Sequence, residues 1–296
     1  MKPWTVLAAF FTLAQLSAPA LAQQTSSEEI VVTARRVEEA VRAFVGEVTV
    51  EAGRSDQVAR WDQRVCPGVA GLRAAQAQAI ADRIAIRALE VGLDVGEPGC
   101  APNILIIASS DSDALARDIV DEHRAMFGYY GDGVTRGRGA LTDFVETPRP
   151  VRWWHVSQTL TADGFSTSGP RNAGEAPAVT GPATSLSRIN RSTRQDLARA
   201  ILIVDGRRVS GVSVGALGDY LAMAALAQID PDADTSAFPT ILNVFSQLQP
   251  GLTALTDWDT SYLQGLYSAP RDRSATSQAN AIIRSVAEGQ IAPTEN

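Results

Sequence analysis

Apolar positions recur along this chain in two rhythms. In "VEEAVRAFVGEVTV", residues 37–50, Val37, Val41, Phe44 and Val48 stand three or four apart, which predicts a short helix. Residues 58–66, "VARWDQRVC", alternate as a strand would. "LRAAQAQAIADRIAIRALEVGL" returns to helical spacing, with Leu72, Ala79, Ile80, Ile84 and Leu89 along one face and a stop at Gly92. "PNILIIAS" is a short apolar run bounded by Pro and Ser-Asp, the mark of a buried strand. Strand, helix and strand together predict a crossover unit.

Farther along, "SDSDALARDIVDEHRAMFG" predicts a helix with Ser or Asp at its N-cap and Gly128 at its end. "YYGDGVTRGRG" is expected to be a loop, and "PVRWWHVSQTLT" a further alternating strand. Residues 163–186 are rich in Gly, Pro, Ser and Ala, and a segment that long is expected to be a flexible loop, either a functional flap or disordered. "LARAILIVDGRRV" predicts a strand, and "GALGDYLAMAALAQID" a strongly apolar helix that Asp230-Pro231 stops. "LTDWDTSYLQGLYSAP" and "SATSQANAIIRSVAEG" predict two final amphipathic helices. The pattern is α+β: a mixed sheet, a crossover helix and a C-terminal helical part. It has no internal repeat and no convincing linker, so residues 37–290 are expected to form a single domain.

The N-terminus changes the picture of where the chain works. Lys2, the apolar run "VLAAFFTLAQL" and "APALA" ending at Ala22 read as an export signal over residues 1–22, followed by a flexible leader at 23–36. The apolar run is shorter than the roughly 20 residues a bilayer span needs, so cleavage and a periplasmic or secreted location are expected, with no transmembrane segment in the mature chain. In that compartment Cys66 and Cys100 are most simply one disulfide, the alternative being two separately buried thiols.

Charge and base content exclude several functions. Lys2 is the only lysine among 26 basic residues, so chemistry that needs a Schiff-base or P-loop lysine is ruled out. The net charge of −7 argues against nucleic acid as a partner, because neutralising phosphates takes a basic face.

The chain has two histidines. His123 sits among acids on a predicted helix surface. His155, flanked by Trp153 and Trp154, is the candidate general base, with Ser157 as nucleophile and a carboxylate such as Asp219 as further polar group; a satisfied structural histidine is the alternative. No H-E-x-x-H occurs, so no metal and no cofactor is expected. The glycines at 131, 133 and 137 miss the dinucleotide-binding spacing. Asp230, Asp232 and Asp234 start like a calcium loop, but Thr235 and Ile241 stand where Gly and Glu are required. Asn190 and Ser192 fit a glycosylation sequon. On the helix after "LIVDGRRV", Gly215, Ala216 and Gly218 allow a close neighbour, and a buried Asp219 is expected to pair with Arg207 or Arg208. Trp153, Trp154 and Tyr220 are candidate contact surfaces for a protein or small-molecule partner.

"RWDQRVC", "RWWHVSQ", "GDYLAMAALAQIDP" and "LTDWDTSYLQGLY" together resemble a family of uncharacterised exported proteins from alphaproteobacteria, over about residues 30–285. "LTDWDTSYLQGLY" is also distantly similar to the closing helix of zincin-like metallopeptidases. That resemblance implies a central helix carrying metal ligands, and "GALGDYLAM" has none, so it implies a zincin-like body without a zinc site. "EEIVVTARR", residues 28–36, resembles a TonB box, an extended strand that pairs onto a partner's sheet edge and implies a role as accessory to TonB-dependent uptake. The barrel that follows such boxes in receptors is absent from the pattern. The leading expectation is an exported, non-catalytic binding or structural protein, the second a periplasmic hydrolase using His155.

Overall fold

A computed structural model describes residues 21–53, 55–128, 134–165, 190–246 and 251–291, with side chains from Arg35 onward. A mixed four-stranded sheet runs in the order β1 (Pro67–Ala70), β2 (Ile104–Ser109), β4 (Thr193–Asp205), β3 (Val151–Thr161). The first three strands are parallel, and β3 is an antiparallel edge strand paired to β4. The fold is α+β, as the pattern of elements predicts.

The two central strands carry "ILIIAS" and "AILIV", near-continuous apolar runs of the kind that sheets covered on both faces require. One face holds the larger core, made with α1 (Leu21–Val48), α2 (Ala74–Glu90), α5 (Val214–Leu226), α6 (Asp257–Ser268) and α7 (Ala275–Ile291). The other is covered by α3 (Ser112–Glu122), a 3₁₀ turn at Arg124–Phe127 and α4 (Arg138–Glu146).

A crossover unit forms as β1–α2–β2, with its first strand at Pro67–Ala70 and not in residues 58–66 as expected. Its entry turns at Gly71, whose φ of 79° favours glycine and where an added Cβ would come within 2.0 Å of the Ala108 carbonyl oxygen. A Cys66–Cys100 disulfide spans the unit, with alpha carbons 6.2 Å apart. Asp111 caps α3 by accepting from the Ala114 N–H, and Thr256 and Asp259 form a capping box on α6.

Several expectations need correction. Residues 58–66 are not a strand; only Arg60 and Val65 make isolated bridges. Their alternation reflects anchoring instead. Trp61 Nε1 donates to the Ala225 carbonyl (2.9 Å), and the buried Arg60 donates to the carbonyls of Leu266 and Ala269. α2 buries Ile80, Ile84 and Ala88, which turns Leu89 out to 60% exposure. The loop predicted through Gly139 gives way to α4 from Arg138. α1 covers Leu21–Val48, so the backbone of residues 28–36 is helical rather than an extended leader. Glu, Ala and Arg there are good helix formers, and Val41, Phe44 and Val48, inside the core, anchor a helix that extends back through them. The export signal up to residue 20, glycines 131 and 133, and residues 166–189 of the expected flap lie outside the described residues.

Candidate functional site

β3 presents successive side chains to the two layers in turn. Trp153 faces the larger core, donates from Nε1 to the Ile229 carbonyl (3.0 Å) and meets the Tyr220 ring edge-on at 6.1 Å. Trp154 faces the smaller core, donates to the Phe127 carbonyl (3.2 Å) and packs against Phe144. Trp153, Trp154 and Tyr220 are all buried, so the expectation that they form a contact surface is corrected. The indole N–H groups of both tryptophans are met inside the fold, which lets their rings fill the two layers.

His155 follows on the Trp153 side and is 6% exposed. Burial pushes its pKa down from 6.5 to about 4; backbone hydrogen bonding to Ala224 and Ala225, at the end of α5, works the other way, and the nearby Arg136 charge lowers it further. The imidazole is therefore neutral at physiological pH. Its Nε2 has no hydrogen-bond partner. Ser157, fully buried, donates its hydroxyl to the Val134 carbonyl (3.1 Å).

Asp219 is engaged elsewhere. It accepts from Arg87 at 2.8 and 3.1 Å and from the Leu255 N–H at 3.0 Å, with Arg83 3.8 Å away. The expected partners Arg207 and Arg208 do not reach it; Arg208 pairs with Asp205 and Asp113. The reason is that α5 packs on α2, where a Cβ on Gly218 would lie 3.0 Å from the Arg83 Cβ. No hydrogen bond joins His155 to Ser157 or to Asp219.

His123 is exposed at the end of α3. Asp230, Asp232 and Asp234 are committed to Arg136, Arg149 and Ser236 respectively. Among the described residues no group of three or more His, Cys, Asp or Glu is placed to hold a metal ion.

Two cavities accompany β3. A small one of about 30 Å³ lies where β3 faces the segment after α5, with His155, Trp153, Gln228, Ile229, Arg136 and Arg149 in its wall. A larger cleft of about 430 Å³ lies at the outer end of the β3–β4 ribbon, lined by Gln57, Thr159, Thr193 and Gln195, with Asp56 and Arg191 also in its wall. Thr159 and Gln195 are directly opposite across the ladder and joined by a 2.9 Å hydrogen bond from the Gln195 amide. The Gln57 amide donates to the carbonyls of Thr193 (2.8 Å) and Arg271 (3.1 Å), which fixes the floor. Asp56 and Arg191 form an ion pair with each other.

No protein-family model, curated protein or solved structure matches the chain.

The sequence candidates therefore do not assemble into one catalytic centre, and the larger cleft is built from residues that attract no attention as motifs. One signal was available. On the β3 face that carries Val151 and Trp153, the same alternation continues into Ser157, Thr159 and Thr161, polar residues where a core-facing strand would go on placing apolar ones.

Proposed function

We propose that the protein is an exported, non-catalytic binding protein that takes a small, uncharged, hydroxyl-rich molecule in the cleft at the outer end of the β3–β4 ribbon. The observation that carries this reading is the cleft itself, about 430 Å³ and lined by hydroxyl and amide side chains. Its size falls within the range of roughly 300–1,000 Å³ common for small-molecule sites. Hydroxyl and carboxamide groups each donate and accept, which matches a ligand whose own groups do both. The one ion pair in the wall, Asp56 with Arg191, is internally neutralised, so a charged ligand would meet no unpaired opposite charge. A hydrolytic role for His155 has less support, since its imidazole is a weak base and no nucleophile is bonded to it. The disulfide is compatible with a site outside the cytoplasm. Export with cleavage after Ala22 would give a mature chain starting at Gln23, which N-terminal sequencing of secreted material checks.

Calorimetric titration of the full chain with neutral monosaccharides and polyols, against amino acids and dicarboxylates, tests the ligand class. Neutral hydroxylated compounds should bind, and the paired change Thr159→Val with Gln195→Leu should weaken binding at least about tenfold. That magnitude is one lost hydrogen bond's worth, about 1.4 kcal/mol. Binding of only the charged compounds, or equal binding by the variant, would remove the reading.

A further inference from the structure

We infer that the outward face of α2 is a self-association surface, on which a second copy of this chain packs its own α2 antiparallel. Ile80, Ile84 and Ala88 face the core, so the opposite face would ordinarily be polar. It carries Ala75, Ala79, Asp82, Ile86 and Leu89, all exposed, with Asp82 the one charge in the row. Ile86 at 48% and Leu89 at 60% are two of the three large apolar side chains exposed among the described residues. The five stand four, three, four and three positions apart, the spacing of a seam along which two helices pack side by side.

The side chains decide the orientation. A parallel pair would set each seam residue against its own copy and bring the two Asp82 carboxylates together in one layer. An antiparallel pair centred between Ala79 and Asp82 puts Ala75 against Ile86 and Ala79 against Asp82, and carries Leu89 over the half-exposed Leu72. Both helical layers then join an alanine to a larger side chain, which lets the two axes run close and even. Asp82 accepts from the Gln78 amide of its own helix at 2.7 Å, so its carboxylate enters the seam already hydrogen-bonded.

Charge points the same way. Exposed Arg73 stands at the start of α2 and exposed Glu90 at its end. Antiparallel copies bring Arg73 of one towards Glu90 of the other at both ends, whereas parallel copies would align like charges. Glu90 takes its hydrogen bonds from a single nitrogen, Arg87 Nη1, and keeps acceptor sites for a second guanidinium. The arrangement has a two-fold axis, so it closes at two copies and leaves no repeating surface. The seam is short, which makes the association reversible and dependent on concentration.

Sedimentation velocity on the full chain, from about 5 μM to about 1 mM, tests the surface. The weight-average sedimentation coefficient should rise with concentration from the monomer towards the dimer. Ile86→Arg with Leu89→Arg should weaken association at least about a hundredfold, because the large apolar side chains leave the interface on both copies. A wild type that stays monomeric throughout, or a variant that associates as well as wild type, would overturn the surface. Orientation has its own readout under mild oxidation. A mixture of Ala75→Cys chains with Ile86→Cys chains should form mixed, disulfide-linked dimers. Neither variant alone should, since the antiparallel register holds like positions about 16 Å apart along the axis, beyond the roughly 7 Å that a disulfide allows. Self-linked single variants, or no mixed dimer, would overturn the antiparallel register. All these substitutions lie on the exposed face, so urea midpoints near that of wild type are expected for each.

Discussion

His155 makes the acid side of the stability profile calculable. In the unfolded chain its imidazole titrates near 6.5, and in the native protein near 4, chiefly because burial disfavours the charged form. Between those values the unfolded chain binds a proton that the native chain refuses, so native stability falls as pH is lowered through this window. At 1.36 kcal/mol per pH unit, the full fall is roughly 3 kcal/mol. The ring is almost wholly buried, so little is lost to solvent screening.

Other groups titrate close by, and two of them oppose it. Burial raises the carboxyls of Asp196 and Asp259, so the native state holds protons there that the unfolded chain has released, which favours the native state on acidification. Asp113 and Asp205 are lowered, the former by hydrogen bonding to Arg208 and Arg152; their loss comes below the ordinary carboxylate value. The histidine is therefore isolated by difference. Urea unfolding of wild type and His155→Gln should be followed from pH 7 to pH 4. Whatever the variant costs at pH 7, its deficit should shrink by roughly 3 kcal/mol by pH 4, while His123→Gln, which alters an exposed ring, serves as control. A deficit that stays constant within about 0.5 kcal/mol across the range would refute the buried, neutral imidazole.

Two further perturbations test the scaffold. Asp219→Ala strands the Arg87 guanidinium and the Leu255 N–H and should cost about 3 kcal/mol, the low end for breaking a buried pair because Arg87 keeps 15% exposure and a second partner in Glu90. In a double-mutant cycle with Arg87→Ala the coupling should be about 2 kcal/mol, and a value near zero would mean that α2 and α5 are not clamped there. Converting Cys66 and Cys100 to Ser should lower stability by about 4 kcal/mol on the loop-entropy estimate for their separation of 34 residues. Unchanged urea midpoints for oxidised protein and double variant would sink that expectation.

Where the sequence could be read, a local rule and the tertiary environment agree. "ILIIAS" and "AILIV" are strands because the fold covers both faces of the sheet, and Ile80 and Ile84 mark the buried stripe of α2. The misses share one cause: decisive contacts that are distant in sequence. Arg60 and Trp61 make "VARWDQRVC" alternate like a strand, yet their partners stand in α6, just beyond it, and in α5, from Ala225 to Ala269. Asp219 has Arg207 and Arg208 close in the chain but takes Arg87, 132 positions away, because helix packing and not chain proximity sets its neighbour. α4 buries only Phe144, too little periodicity to stand out.

The larger cleft follows from a mismatch in strand lengths. β4 pairs with β2 only from Ala200 to Asp205, whereas it pairs with β3 from Thr193 to Val204. The outer part of the ribbon therefore extends beyond β2, and α5, which covers the inner part, ends at Leu226. Apolar side chains on that outer face would drive it to collapse onto residues 55–57, at about 25 cal/mol for each Å² removed from water. Ser157, Thr159, Thr161, Thr193 and Gln195 stand there instead. Their hydrogen bonds are met by Val134, by each other, by Gln57 and by the turn at Phe165, so Thr159, Thr193 and Gln195 can line an open cleft while Ser157 and Thr161 are buried beside it. A strand face that is satisfied yet unfilled leaves room for a guest, and its hydroxyl and amide chemistry limits which guests gain by entering.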